Sequence, residues 1–351
     1  MSARTGVTVL IWLLTLILFV SSIVVAMGLK EEKTFTKKTV IVKLYVYNEG
    51  LMELDLEEYL QGVIAAELPA SFHTEALKAQ AVAARTYTLK RLDGIKRTGS
   101  RYPLEADITN LPYEGQAWIS IAERKQRWQT AFDSNQEKIA QAVLTTSQEV
   151  LTYQGALAEA LYCSTAGPYT EDAQAVFKVQ TSYLKAQPNP YDKHSPRYTD
   201  QKTFSITELE KALGIKLKAG ELTLAASLPQ GPDVVMAATL LEPWLNPDKK
   251  NSALKILSRN RSGRVEQLLA GERIFSGVEV RNKLGLRSTN FTFKVSLDST
   301  RITFSTLGYG HGVGMSQYGA DGMARQGFNY KEILNFYYPG TDVVSFTQIW
   351  E

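Results

Sequence analysis

The longest uninterrupted hydrophobic segment lies near the start of the chain. Residues 7–29 carry no charged side chain and are long enough to cross a bilayer as a helix. The apolar core of a cleaved signal peptide is usually shorter, so a retained anchor is favoured, although Val24 and Ala26 could form a cleavage site. Only Arg4 and the terminal amine precede the segment, whereas lysines follow it within residues 30–38. The charge distribution therefore does not orient the anchor.

Beyond residue 38 the pattern changes to short alternating and helical segments. Alternation of apolar and polar side chains over residues 39–54 predicts a β-hairpin with its turn at residues 48–50. A helix is predicted to follow from Leu56, because Asp55 can cap it and Glu58 completes a capping-box pattern.

Glu67 occupies the apolar face of this helix at its carboxyl end. Leu56, Leu60 and Val63 recur at helical spacing, and Glu67 continues their stripe. Pro69 should end the helix at or just after Glu67. Burial and the helix C-terminus both disfavour the carboxylate anion, so the pKa of Glu67 is expected to lie above about 4.3. Such an acid suits general acid catalysis; a structural ion pair with Arg or Lys is the alternative.

A second helix is predicted over residues 73–92, with Ser71 as its cap. Its alanines offer a smooth side for close packing, and the long polar side chains among them are candidates to face a cleft. Gln80, Arg85 and Tyr87 are such candidates. Glu75 lies in the first turn, where the helix dipole favours a carboxylate, and is interpreted as structural.

The remaining elements decide the predicted fold class. Residues 94–117 are predicted to be rich in loops, and a strand pair is predicted near residues 150–162. Further helices are predicted at residues 134–143, 204–213 and 331–338, with short alternating strands beyond residue 250. Because strands and helices follow each other in no regular alternation, the predicted fold class is α+β.

Composition is that of an ordinary globular protein. Of the 351 residues, 44% are hydrophobic and 21% charged, and the formal net charge is only +3, which does not favour a nucleic-acid partner. Cys163 is the only cysteine, so no intramolecular disulfide can form. Together with His73, His194 and His311 it shows no metal-ligand spacing, and neither a metal nor a cofactor is predicted.

A glycine-rich loop is the second distinctive segment. Residues 308–324 carry glycine at positions 308, 310, 312 and 314, which permits backbone conformations closed to other residues. His311 lies inside the loop, and a helix is predicted to begin near Ser316, where its free amides could face an anion. Met315 stands where the dinucleotide-binding fingerprint requires glycine. A tight turn packed against the core is the structural alternative.

Several motifs in a fixed order resemble the SpoIID/LytB family of stage II sporulation proteins. They are found at residues 56–87, 161–172, 182–196, 284–291 and 308–324, and the resemblance runs from about residue 40 to the C-terminus. Members of that family are lytic transglycosylases that cut cell-wall glycan between N-acetylmuramic acid and N-acetylglucosamine during forespore engulfment. Their catalytic glutamate corresponds to Glu67 in the segment AAELP, where Leu68 replaces the usual methionine.

The resemblance implies a mechanism with a single carboxylate. Glu67 would protonate the glycosidic oxygen and then accept the proton of the muramic acid C6 hydroxyl, which leaves a 1,6-anhydromuramic end. Hydrolytic glycosidases, in contrast, use two carboxylates. Arg85 and Gln80 are candidates to position the substrate. Further candidates for glycan binding are Tyr183, Lys185, His311, Ser316 and Gln317.

The resemblance also implies an arrangement and partners. Residues 1–6 would be cytoplasmic, 7–29 a single-pass anchor, 30–38 a juxtamembrane linker, and 39–351 a single extracytoplasmic catalytic domain at the septum. Expected partners are glycan strands stripped of stem peptides, a membrane-bound amidase and a multi-spanning membrane protein of the engulfment complex. One departure is that Cys163 stands where relatives usually carry histidine, which weakens the case for a metal there.

Two other classes of function remain open at this point. Cys163 or Ser164, paired with His194 or His311, could form the nucleophile and base of a wall peptidase or amidase. A non-catalytic glycan-binding scaffold of the engulfment complex is the other alternative. The cleavage product discriminates between them, because an anhydro sugar, a freed stem peptide and no product at all are distinct outcomes.

Overall fold

The computed structural model describes residues 39–111, 114–217 and 254–349. From Val40 onward the chain forms one compact unit. The anchor predicted at residues 7–29 and its linker lie outside the described residues. Within the described ranges, no helix combines the length and the apolar character that a bilayer span requires.

Helices and short strands are mixed along the chain, which confirms the α+β class. The helices are α1 (Leu56–Glu67), α2 (Thr74–Thr98), α3 (Ile121–Trp128), α4 (Phe132–Thr145), α5 (Ala173–Phe177), α6 (Ile206–Leu213), α7 (Gly277–Leu284), α8 (Gln317–Arg325) and α9 (Tyr330–Tyr337). Short 3-10 helices occupy Pro103–Glu105, Gln129–Ala131 and Phe346–Gln348.

The strands are distributed over several small sheets. They are β1 (Ile41–Val46), β2 (Gly50–Asp55), β3 (Ile108–Thr109), β4 (Glu149–Tyr153), β5 (Ala156–Leu157), β6 (Tyr162–Cys163), β7 (Thr199–Ser205), β8 (Leu254–Arg259), β9 (Val265–Ala270), β10 (Arg273–Ser276), β11 (Phe291–Val295), β12 (Arg301–Leu307), β13 (Met315–Ser316) and β14 (Asp342–Ser345). The sheet orders are β2-β1-β3, β14-β4-β5, β13-β6, β10-β9-β8 and β11-β12-β7.

The hairpin and the helix that follows it form as the sequence predicts. Asn48 and Gly50 have φ angles of 69° and 99° at the turn, a conformation that glycine and asparagine adopt most readily. The Asp55 side chain accepts a hydrogen bond from the backbone amide of Glu57 and so caps α1. The helix ends at Glu67, because the next residue is already extended ahead of proline.

Other boundaries differ from the predictions. Helix α2 begins at Thr74 and is capped by His73 instead of Ser71, and it continues to Thr98 because no residue interrupts it before Gly99. Helix α3 was not predicted, since it is short and strongly polar. The helix predicted from residue 204 begins only at Ile206, after strand β7.

Two hydrophobic cores lie among the described residues of this unit. The first core surrounds α2, which packs against α1, α4, α8, α9 and β4, and it draws on residues 42–184 and 313–346. The second core draws on residues 209–217 and 254–304 and lies among α6, α7 and two three-stranded sheets. The parts of the chain that contain the first and the second core are called the first and the second region. The chain enters the second region after Tyr198 and leaves it at Gly308, whose amide donates to the Tyr198 carbonyl at 2.8 Å.

A buried polar network joins the two cores. Glu171 belongs to the first region and is only 2% exposed. It accepts hydrogen bonds from Asn260 Nδ2 and Ser262 Oγ, both at 2.7 Å, and Arg264 Nε lies 3.5 Å from the same oxygen. Arg264 Nη2 also donates to the carbonyl of Ala166. These contacts hold the β8–β9 turn against the loop that follows β6.

Candidate active site

The carboxylate of Glu67 is held from two directions. The side chain is half-buried at the end of α1. Its Oε1 accepts a hydrogen bond from the backbone amide of Ala117 at 3.0 Å, and its Oε2 accepts one from Gln317 Nε2 at 3.1 Å. The two donors come from the loop before α3 and from the first turn of α8. Residues far apart in the sequence therefore fix the orientation of one carboxyl group.

Burial raises the pKa of Glu67 above its ordinary value, and this confirms the direction predicted from the sequence. The hydrogen bonds from Gln317 and Ala117 act the other way, because they stabilise the anion, but burial is the larger influence. Within the described part of the chain, none of these influences is a second carboxylate. Glu67 therefore retains its proton to a higher pH than an exposed glutamate.

Neutral polar side chains form a network close to Glu67. Tyr162 donates to Gln116 Oε1 at 2.6 Å, and Gln116 Nε2 donates to Tyr59 Oη at 3.2 Å and to Thr88 Oγ1 at 2.9 Å. Burial raises the pKa of both tyrosines, and the charge of Glu67 adds to each increase. The members of this network are polar but uncharged, so none of them offsets the penalty that burial places on the Glu67 anion.

The glycine loop brings Gln317 to Glu67. All four glycines have φ between 72° and 113°. A Cβ atom on Gly314 would lie 1.9 Å from the carbonyl oxygen of Leu161, so the loop can approach β6 only with glycine there. The loop leads into β13, which pairs in parallel with β6. This pairing brings Tyr162 on β6 close to the end of β13, where Gln317 begins α8.

His311 lies in the same loop as a neutral side chain. Its ring meets Phe177 edge-on with centroids 5.0 Å apart, and its Nδ1 accepts from the amide of Val313 at 3.0 Å. Burial lowers the pKa of His311 to about 4, and the charges of Arg281 and Arg264 contribute. A hydrogen bond with the backbone of Tyr162 links it to the strand beside the acid.

Ser316 is buried and caps the helix whose first residue is Gln317. It is fully buried at the start of α8, and its Oγ donates to Asp192 Oδ2 at 2.8 Å. Ser316 Oγ in turn accepts hydrogen bonds from the backbone amides of Gly319 and Ala166, both at 3.2 Å. The predicted helix start near Ser316 is confirmed, but the hydroxyl serves as its cap.

Arg85 and Gln80 are both buried, and neither has a hydrogen bond to Glu67 within the described residues. Arg85 is fully buried, and its guanidinium is used by Glu57, with Nη2 to Oε2 at 2.6 Å, and by the carbonyls of Glu149 and Val143. It therefore ties the start of α1 to α4 and β4. Gln80 is also fully buried, and neither end of its amide has a hydrogen-bond partner among the described residues.

The structure likewise gives Tyr183 and Lys185 local partners. The Tyr183 hydroxyl accepts from the amide of Glu159 at 2.6 Å, and its ring packs 4.7 Å from that of Tyr153. Lys185 forms an ion pair with Asp172 at 3.2 Å and is half exposed. Of the substrate-binding candidates, Gln317 alone has a hydrogen bond to Glu67 within the described residues.

Sequence patterns did not reveal the other groups around the acid. Ala117 contributes a backbone amide, which no side-chain pattern marks. Gln116 lies in a segment without periodicity, and Tyr162 lies on a strand of only two residues.

Cys163 is poorly suited to nucleophilic catalysis. Burial raises the pKa of its thiol to about 12, whereas the reactive form is the thiolate. His194 is turned toward a different group, with Nε2 3.1 Å from Asp321 Oδ2. In the part of the chain that the structure describes, no three His, Cys, Asp or Glu side chains are grouped as metal ligands would be.

Known proteins resemble this chain over nearly its whole length. A family model described as "Stage II sporulation protein" (SpoIID) matches residues 48–153. Stage II sporulation protein D of Bacillus subtilis is 34% identical over 315 residues, covering 90% of this chain and 82% of the relative. The protein of the same name from Bacillus amyloliquefaciens is 34% identical, covering 89% and 81%.

A third relative is longer. The "Amidase enhancer" of Bacillus subtilis is 33% identical over 319 residues, which cover 82% of this chain but only 40% of that protein. The family model includes Glu67 and Ala117, and the long alignments extend well beyond it. On these similarities, this chain belongs to the SpoIID family of stage II sporulation proteins.

Proposed function

We propose that this protein is a peptidoglycan lytic transglycosylase that acts in sporulation. The observation that carries the proposal is Glu67: a single carboxylic acid whose pKa is raised by burial and whose two oxygens are oriented by Gln317 and Ala117. Membership of a sporulation family supports the cell wall as the setting. Since no second carboxylate contributes to the pKa of Glu67 among the described residues, a lytic reaction is favoured over hydrolysis, which normally needs two carboxylates.

The first half of the reaction uses the proton of Glu67. The acid protonates the oxygen that links C1 of N-acetylmuramic acid to the next sugar, and the C1–O bond breaks as positive charge develops at C1. The electron pair of that bond leaves with the departing sugar as a hydroxyl group. Glu67 is then an anion, and the amides of Gln317 and Ala117 stabilise it at this moment.

The second half returns the proton. The C6 hydroxyl of the same muramic acid attacks C1, and Glu67 takes the hydroxyl proton. The product carries a 1,6-anhydro ring, and the acid is restored without the entry of water. The same two hydrogen bonds orient the carboxylate for the base step as for the acid step.

We further propose that the chain works at the outer face of the membrane on strands whose stem peptides have been removed. The uncharged segment at residues 7–29 supports a membrane anchor. A relative whose name is "Amidase enhancer" supports cooperation with an amidase, the enzyme class that removes stem peptides. An amidase of the membrane and a multi-spanning membrane protein of the engulfment complex are the proposed partners.

The test is to identify the product of cleavage. The purified protein is incubated with glycan strands that carry or lack stem peptides, and the fragments are weighed by mass spectrometry. Fragments that end in anhydromuramic acid, lighter by one water than hydrolysed ends, are expected. Ends that carry the added water would indicate a hydrolase, and freed stem peptides would indicate an amidase. Binding without any product would favour the scaffold alternative.

A further inference from the structure

Several arginine side chains lie around the glycine loop. Arg281 and Arg287 belong to the second region, and Arg197 belongs to the segment just before that region. The guanidinium of Arg197 lies 4.9 Å from the ring centroid of Tyr309, and that of Arg287 lies 5.2 Å from it. Arg287 is fixed by an ion pair with Asp200 at 3.1 Å, and its carbonyl accepts from the amide of Gly310. The aromatic ring is thus held between cations.

Arg281 adds a further guanidinium from helix α7. It is half-buried. Burial lowers the pKa of its guanidinium, the charge of Arg264 lowers that pKa further, and Tyr309 acts in the opposite direction. The charge of Arg281 in turn helps to lower the pKa of His311. Within the described residues neither Arg281 nor Arg197 has a carboxylate partner. A half-buried guanidinium without a counter-ion is unfavourable unless a ligand supplies the negative charge.

Arg281, Arg197 and the ring of Tyr309 are called the cationic cluster. Strand β6 and the residues that follow it connect this cluster to Glu67. Tyr309 exchanges two backbone hydrogen bonds with Thr165, at 2.7 and 3.0 Å. Tyr162, whose pKa responds to the charge of Glu67, precedes Thr165 by three residues, which span at most about 10 Å. A glycan strand of a few sugars covers such a distance, so one strand can reach both places.

We infer that Arg281, Arg197 and the ring of Tyr309 form a subsite for a carboxylate on the substrate strand. The inference rests on the proposed function, in which the substrate contains muramic acid. Muramic acid carries a lactyl group whose carboxyl is free after peptide removal and is an uncharged amide before it. A guanidinium pair binds the free carboxylate through charge-assisted hydrogen bonds, and the tyrosine ring offers a flat surface to a sugar. The subsite would therefore select strands without stem peptides.

The test compares two ligands that differ only in that charge. Short glycan fragments with free lactyl carboxylates, and the same fragments with the carboxyl converted to a methylamide, are titrated into the full chain carrying Glu67→Gln, which prevents cleavage. The charged fragment is expected to bind at least about tenfold more tightly, because hydrogen bonds to charged groups are the strong class. Rising salt concentration should reduce the difference.

Variants of the subsite are then compared in the same background. Arg281→Gln and Arg197→Gln should each remove most of the preference, and Arg281→Lys should retain part of it. Arg301→Gln is the matched control, since Arg301 is an exposed arginine at the opposite end of β12, and it should keep the full preference. If Arg281→Gln does not fold, the exposed Arg197 carries the test.

The outcomes separate this inference from the lytic role. Equal binding of both fragments, or an unchanged preference in Arg197→Gln and Arg281→Gln, would overturn the subsite even if the parent chain cleaves glycan. Competition by inorganic phosphate as effective as competition by lactate would overturn the assignment to a carboxylate. Conversely, a selective subsite in a chain that cleaves no strand would leave the subsite standing and remove the lytic role.

Discussion

The two hydrophobic cores among the described residues differ in secondary structure and in the polar side chains that lie beside them. The first core is largely helical and surrounds α2, and it contains Glu67 with both of its hydrogen-bond donors. The second is made mainly of strands, and it supplies Arg281 and Arg287 to the glycine loop. On the proposed function and the inferred subsite, the first region would move the proton and the second would recognise charge on the substrate.

The role proposed for the first region is tested most directly by removing its proton donor, Glu67. Glu67→Gln keeps the shape of the side chain but has no proton to transfer, so cleavage should fall about a hundredfold or more, as expected for the loss of a general acid. Product formation by mass spectrometry is the measurement, and glycan binding should persist. Glu75→Gln is the control, because Glu75 pairs with Lys78 and accepts from the amide of Tyr330. Full activity in the Glu67→Gln variant would refute the assignment of the acid.

The loop between the regions is the next target. Gly314→Ala combines a φ of 72° with a Cβ that would lie 1.9 Å from a backbone carbonyl, so the free energy of unfolding should fall by about 3 kcal/mol or more. Gly155→Ala has a similar φ of 79° but open space around it, and should cost about 1 kcal/mol. Denaturant titration of both variants isolates the steric contribution. Equal losses would mean that close packing on β6 is not needed.

A substitution of Gln317 tests whether its hydrogen bond to Glu67 supports the proposed catalysis. Gln317→Ala removes a hydrogen bond to the anion that Glu67 becomes after giving up its proton. A bond to a charged group contributes about 1.5–3 kcal/mol, so cleavage should fall roughly ten- to a hundredfold. The pKa of Glu67 should rise further, because Gln317 lowers it. The alkaline limb of the pH–rate profile should then move to higher pH. Gln326→Ala, an exposed position at the end of the same helix, should leave both the rate and the limb unchanged.

The smallest expected effect concerns stability and pH. Because burial raises the folded pKa of Glu67, the stability contributed by its neutral form is present below the unfolded pKa and is lost as pH rises through the folded pKa. Glu67→Gln cannot ionise, so it should melt at a higher temperature than the parent above that pKa. The two melting temperatures should converge as the pH falls to about 4, near the ordinary pKa of the side chain. A constant gap at every pH would mean that Glu67 ionises as freely as an exposed acid.

Local patterns predicted much of the first region and little of what surrounds its acid. Helix α1 could be predicted because its cap, its apolar stripe and Pro69 lie within a few residues of each other. The pKa direction of Glu67 followed from the same segment. Gln317 could be proposed as a site residue but not as the partner of Glu67, because 250 residues separate them. The pairing of β13 with β6 and the packing of α8 against α2 bring them together in the fold.

Arg85 shows the opposite case. A long charged side chain among alanines looks like a group that faces a cleft, yet Glu57 and two carbonyls satisfy it in the interior. The partner carboxylate lies 28 residues away on a neighbouring helix, so no local spacing pairs them. A buried arginine with full hydrogen bonding and an exposed binding arginine have the same appearance in a sequence.

The hydrogen bond between Gly308 and Tyr198 also bears on how such a protein could evolve. It shows that the chain returns to the first region at the place where it left, so the intervening segment could be exchanged or deleted as a module without stretching the remainder. Glu171 sets the condition on such an exchange. Its partners Asn260, Ser262 and Arg264 would depart with the module, and the carboxylate would be left buried without them. A lineage that lost the module would need a neutral residue at position 171.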